Sequence, residues 1–298
     1  MKRFVPMLLS VVACSVSSAE SPRLRLALDF LDTGDGSAAA LEFRRLAADE
    51  ADPETRIHYY LGAADAYRTD GDWARMSKML DHADEEQASL RASIPYAWLR
   101  LRQAEGTEDW GNASLWAQSL AAAAADPSKT PPESAARLRE IALRTAAADA
   151  LLADDPDEAR RIASTPDFAA APLVFDALTH FGEGSDRSPT VGGLLGLVPG
   201  LGYAYSGEWG NAVRSLVLNG LFGWAVYQTA ADEEWGLFAV ATFFELTWYS
   251  GSVYGGIDAA YRYNRDRRLN AAAEIRGDGE LRPESPRGVD LFRFRFAF

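Results

Sequence analysis

The sequence predicts an all-α chain: an antiparallel helical-hairpin solenoid followed by a C-terminal transmembrane helical hairpin. Three observations carry that expectation. A Gly-Asp or Asp-Trp turn returns every 37 residues through the acidic first half of the chain. Two nearly charge-free stretches follow, at about 211–230 and 235–257. Between these regions Gly182 to Pro189 forms a turn-rich linker, which places a helical-repeat domain at 22–181 and a separate module at 190–270.

The chain opens with an export signal. Lys2 and Arg3 supply positive charge, Phe4 to Val16 an apolar stretch too short to span a bilayer, and Ser17-Ser18-Ala19 the small residues a signal peptidase accepts, so residues 1–19 read as a signal peptide. Within it, Val11-Val12-Ala13-Cys14 resembles the lipobox of bacterial lipoproteins, and that resemblance implies lipidation of Cys14. Cys14 is the single cysteine, so no disulfide can form within the chain.

Across 298 residues the formal net charge is -13, which argues against nucleic acid as a partner. Acidic residues crowd the first 185 positions, while Arg262, Arg265, Arg267 and Arg268 form a basic knot. In the acidic region Gly34-Asp35-Gly36, Gly71-Asp72-Trp73 and Glu108-Asp109-Trp110 align at the 37-residue offset. Aromatic Phe30 and Tyr67 keep step before the turn, as do Phe43 and Leu80 after it. A weaker fourth copy has expected helices at 134–153 and 157–164 around Asp154-Asp155-Pro156. The pattern resembles tetratricopeptide repeats over about residues 22–165, with a longer period and no turn glycine in the third copy. That resemblance implies stacked hairpins, and the extended concave surface of such a solenoid suits a protein partner bound through the repeats. Tyr59, Tyr60, Tyr67, Trp73, Tyr96, Trp98, Trp110 and Trp116 fall at helical spacing; most are expected in the core, the remainder in a peptide groove.

The second region begins with Leu197-Val198-Pro199-Gly200-Leu201-Gly202-Tyr203-Ala204-Tyr205-Ser206-Gly207. With Ala212, the residues Pro199, Gly200, Gly202, Tyr205 and Gly207 resemble a P-G-x-G-x-x-Y-x-G motif that opens a bacterial module with two transmembrane helices, at about 190–268. Tyr203 stands where that module often has Gln. The resemblance implies membrane lipid as a partner. Asn219 and Glu245 lie equally far from residue 232 and are expected to meet as an intramembrane polar pair. Gly251-x-x-x-Gly255 has the spacing of a helix interface, hence a homo-oligomer through Gly251 and Gly255. Three crossings, the first at Val191 to Tyr205, satisfy the positive-inside tendency; two crossings with a re-entrant dip remain the alternative. Residues 274–298 read as a flexible tail that ends in Phe292-Arg293-Phe294-Arg295-Phe296-Ala297-Phe298, a short strand by its alternation.

No catalytic or cofactor motif appears, and His58, His82 and His180 stand apart in the sequence, so no catalytic, cofactor or metal residues are expected. The sequence thus predicts a non-catalytic scaffold of the bacterial cell envelope. Its repeats would lie in the periplasm and its C-terminal module in a membrane, the inner one by preference. The competing expectation is a small transporter or channel subunit that uses Asn219 and Glu245.

Overall fold

The computed structural model describes residues 22–87, 90, 93–130 and 132–277. The expected signal peptide at 1–19, Cys14 and the Phe-rich end lie outside these residues. Every described element is a helix, as expected for an all-α chain. The chain divides into two units, one of residues up to Ala171 together with Arg276 onward, the other Pro172–Ile275. The boundary thus precedes the expected linker at 182–189.

The first unit holds α1 (Pro22–Asp32), α2 (Gly36–Asp49), α3 (Pro53–Thr69), α4 (Trp73–Glu86), α5 (Ile94–Gly106), α6 (Trp110–Ala124), α7 (Pro132–Leu152) and α8 (Pro156–Ala163). Each helix packs on its neighbours in sequence, and α3 also packs on α5, as in stacked hairpins. The core is dominated by alanine, with Phe43, Met76, Leu80, Tyr96, Leu99 and Leu120 filling the wider gaps. Small side chains bring helix axes close, and the larger ones interdigitate between them.

The 37-residue period corresponds to one local device. Two residues past the ends of α1, α3 and α5 stands a residue at positive φ: Gly34 at 80°, Gly71 at 69° and Glu108 at 57°. The next N–H reaches back five residues, from Asp35 to the Phe30 carbonyl, Asp72 to Tyr67 and Asp109 to Ala104. That bond closes the outgoing helix. The same aspartate then caps the incoming one, its carboxylate accepting from the N–H of Ala38, Arg75 or Asn112. Asp154, at φ 66°, and Asp155, which accepts from the Glu158 N–H, repeat the device between α7 and α8. Cap removal in Asp72→Ala is expected to cost about 1 kcal/mol of stability in urea denaturation.

Packing beyond the turn also follows the period, with sizes exchanged. A Cβ on Gly36 would lie 2.3 Å from the Ala66 carbonyl oxygen and from the Thr69 hydroxyl. One period on, Trp73 replaces Gly36 and Gly106 replaces Thr69; the indole occupies the space beside Gly106, 2.4 Å from where its Cβ would stand. At the second of these positions a large residue on one helix is met by a small one on the other, so the sizes are exchanged between copies.

The second unit contains α9 (Ala171–Glu183) from Pro172 onward, α10 (Pro189–Leu195), α11 (Leu201–Tyr205), α12 (Trp209–Ala231) and α13 (Trp235–Arg276) up to Ile275. The positive-φ turn returns here at Gly207 and Glu233. The basic knot is spent inside the unit. Arg262 forks onto Glu208 at 2.8 and 3.0 Å, Arg268 pairs with Asp186 at 3.1 Å, and Arg267 pairs with Asp186 and donates to the Phe181 carbonyl at 2.6 Å.

Among the described residues no helix is long and apolar enough to cross a membrane. This corrects the expected transmembrane hairpin and the inner-membrane placement that rested on it. The first helix exists near its expected bounds and the second starts where expected but runs on to Arg276, and absence of charge is not apolarity. Asn211, Arg214, Ser215, Asn219, Gln228 and Thr229 dilute α12. In α13, Thr242, Glu245, Thr247, Ser250 and Ser252 do the same, and the helix runs on into the basic knot.

Candidate functional site

A polar groove of about 420 Å³ opens between α4, α5 and α6 of the first unit. Asp81 and Asp84 line it from α4, Tyr96, Arg100, Gln103 and Thr107 from α5 and its C-cap, and Asp109, Asn112 and Trp116 from α6 and its N-cap. Helical spacing explains the α5 contribution: positions 96, 100, 103 and 107 follow the i, i+4, i+7, i+11 stripe of one face. Tyr96 is buried and meets Trp116 edge to face, centroids 5.7 Å apart. Arg100 donates to the Tyr96 hydroxyl at 2.9 Å, lies over that ring at 5.2 Å and pairs with Asp81. Three carboxylates therefore share the groove with one guanidinium, which is already engaged.

Of the aromatics flagged by sequence, Tyr59, Tyr67, Tyr96 and Trp98 are core residues, and Tyr96 and Trp116 form the groove's apolar wall. Comparison with family models, curated proteins and solved structures gives no match. The chemistry of the groove must therefore speak from its own residues. Sequence reasoning missed its polar members because Asp81, Arg100 and Asp109 look individually like solvated helix faces and a cap.

Deeper in the same unit lies a buried charge network. Asp149 on α7 is fully buried and pairs with Arg276, which also reaches Glu105 at 3.4 Å; Arg102 holds the other oxygen of Glu105 at 2.6 Å. Burial pushes the Asp149 carboxyl up to about 7, against the pull of Arg276. Burial also lowers the Arg102 guanidinium. Two carboxylates face two guanidiniums in this network, so their formal charges balance.

In the second unit the motif residues converge on packing. Gly200, at φ 89°, donates its N–H to the Ser252 hydroxyl at 3.2 Å and lies so close to Ala212 that a Cβ would stand 2.4 Å from its carbonyl oxygen. Gly202 meets Gly192 and Gly256 backbone to backbone. Tyr205 accepts from the Ser188 N–H at 3.1 Å, Gly207 makes the turn into α12, and Pro199 precedes Gly200 in the link from α10 to α11. These positions shape the bend from α10 to α12 and bring α13 against it.

Asn219 and Glu245 are not joined by a hydrogen bond among the described residues. Asn219 donates to the Ser215 carbonyl at 2.7 Å, and its own side-chain carbonyl is buried without a partner. Glu245 rests against Gly223, one helical turn further along α12, with one carboxyl oxygen buried and unpartnered and its pKa raised by burial. The hairpin centres closer to residue 233, which is equidistant from the stacked rings of Phe222 and Phe244, so the expected register about 232 slips.

Gly251 is open, whereas Tyr203 fills the space beside Gly255, its hydroxyl oxygen 1.8 Å from where a Cβ would stand. His180 is less isolated than the sequence suggests. Asp176 and Glu274 flank it, the donor atoms of all three within 4.8 Å of one another and all three residues exposed.

Proposed function

We propose that the chain is a non-catalytic scaffold whose helical-hairpin unit holds a partner protein by a short cationic segment. The groove between α4, α5 and α6 carries this reading. A lysine or arginine from a partner would lay its stem along Trp116, whose ring favours a cation on its face. Its charge would then meet Asp84 and Asp109. Stacked hairpins suit such a task, because neighbouring helices fix the groove's walls without a moving loop.

The test is calorimetric titration of the full chain with a capped Gly-Lys-Tyr-Lys-Gly peptide and with its glutamate counterpart. The lysine peptide is expected to bind, more weakly as salt rises. Trp116→Ala is expected to reduce its affinity by about tenfold, and Asp84→Asn to weaken it further; the glutamate peptide stays unbound. Equal affinity for both peptides, or indifference to both substitutions, overturns the proposal.

A further inference from the structure

Helix α12 carries an exposed apolar seam that nothing else in its unit covers. Trp209, Val213, Leu216, Trp224 and Tyr227 are between 59% and 71% exposed, and Gly220 stands among them. Their spacing of four, three, four, four and three residues sets all six on one line of the helix. The buried stripe through Ala212 and Asn219 lies on a different side and faces inward. Val217 and Leu221, also exposed, flank the seam. At roughly 100 Å² for each of these seven side chains, the surface is on the order of 700 Å². That exceeds the largest apolar patch of an ordinary monomer and approaches the ~800 Å² each partner contributes to a stable interface.

We propose that this seam is a two-fold interface between two copies of the chain, with antiparallel α12 helices crossing at Gly220. The order of sizes along the seam is self-complementary about that residue. With Gly220 opposite Gly220, Trp224 falls opposite Leu216 and Tyr227 opposite Val213, so each large ring meets a smaller aliphatic side chain. The reverse, parallel pairing would set Trp224 on Trp224 and Tyr227 on Tyr227. A surface that supplies both knobs and their holes meets the requirement of an isologous contact, in which the same patch serves both partners. Gly220 itself has nothing within 4 Å of an added Cβ, which leaves room for a second helix to approach closely. Arg214, the one charged residue within α12, is not on the seam, so two copies bring no like charges together there.

The experiment uses the full chain with Cys14→Ser as background and Gly220→Cys added. Two residues on a two-fold axis lie within disulfide reach, so mild oxidation is expected to give a covalent dimer; Arg214→Cys, off the seam, is expected to give little. In parallel, Gly220→Leu is expected to weaken dimerisation at least tenfold in sedimentation, with helicity by circular dichroism unchanged because the site is open. Monomer at 100 µM, equal crosslinking at both positions, or a Gly220→Leu dimer as tight as the parent would each overturn the proposal. So would a monomer that floats with phosphatidylcholine vesicles, since the seam would then face lipid.

Discussion

Arg276→Ala is expected to lower the unfolding free energy of the repeat unit by about 3–5 kcal/mol at pH 8, and by clearly less at pH 5. The substitution removes the guanidinium that pairs with Asp149 and reaches Glu105, leaving a carboxylate with no solvent to receive its charge. The pH dependence follows from the direction of the Asp149 shift, from an ordinary 3.8 up to about 7 in the folded state. Between those values the folded chain holds a proton that the unfolded chain has released, so this group's contribution to stability falls as pH rises from about 4 to about 7 and stays low above. Removing Arg276 removes the pull toward the charged form. At pH 5 the Asp149 carboxyl is protonated with Arg276 or without it, so little ion pairing is lost; at pH 8 the parent's carboxylate depends on Arg276 and the loss is full. Urea denaturation at both pH values reads the difference, and Asp149→Asn is expected to flatten the decline seen in the parent. An equal loss at pH 5 and pH 8 would mean that Arg276 acts through packing alone.

Much of the first unit was legible because its information is local. A turn glycine followed by a capping aspartate fixes where a helix stops and the next starts, so the period located α2, α4 and α6. Asp154-Asp155-Pro156 located α8 without a glycine, because Asp154 itself takes the positive φ. The charge network was hidden for the opposite reason. Asp149 sits in an alanine-rich run that resembles a helix surface as much as a core, and its partner Arg276 is 127 residues away. The groove was half legible: Tyr96 and Trp116 stood out, but helical spacing does not say which aromatics face a neighbour and which face a gap. In the second unit Asn219 stood out as a polar residue, but the scattered Thr229, Thr242 and Ser252 carry no charge to mark them, and together they separate α12 and α13 from a membrane span.

The glycines of the second unit give the other large effect, and they divide sharply by position. In Gly256→Val the new Cβ would lie 2.3 Å from the Gly192 carbonyl oxygen and 3.0 Å from the Gly202 Cα. Both neighbours are backbone, and Gly202 and Gly192 are themselves held by the same crossing, so no flexible side chain can yield. Overpacking of this kind costs about 1–3 kcal/mol when side chains can move; here α10 or α11 must shift as a body, and a loss of about 3 kcal/mol or more is expected. Gly251, five residues earlier on the same helix, is the control. Nothing stands within 4 Å of its Cβ position, so Gly251→Ala is expected to stabilise the helix by up to about 1 kcal/mol through propensity alone. Thermal and urea unfolding of the two variants should therefore move in opposite directions. If both stabilise, the three backbones do not meet as described, and the glycines of the α10–α11 bend serve the turn only; if Gly256→Val alone destabilises, Gly202 is required by the helix that passes it as much as by the bend it sits in.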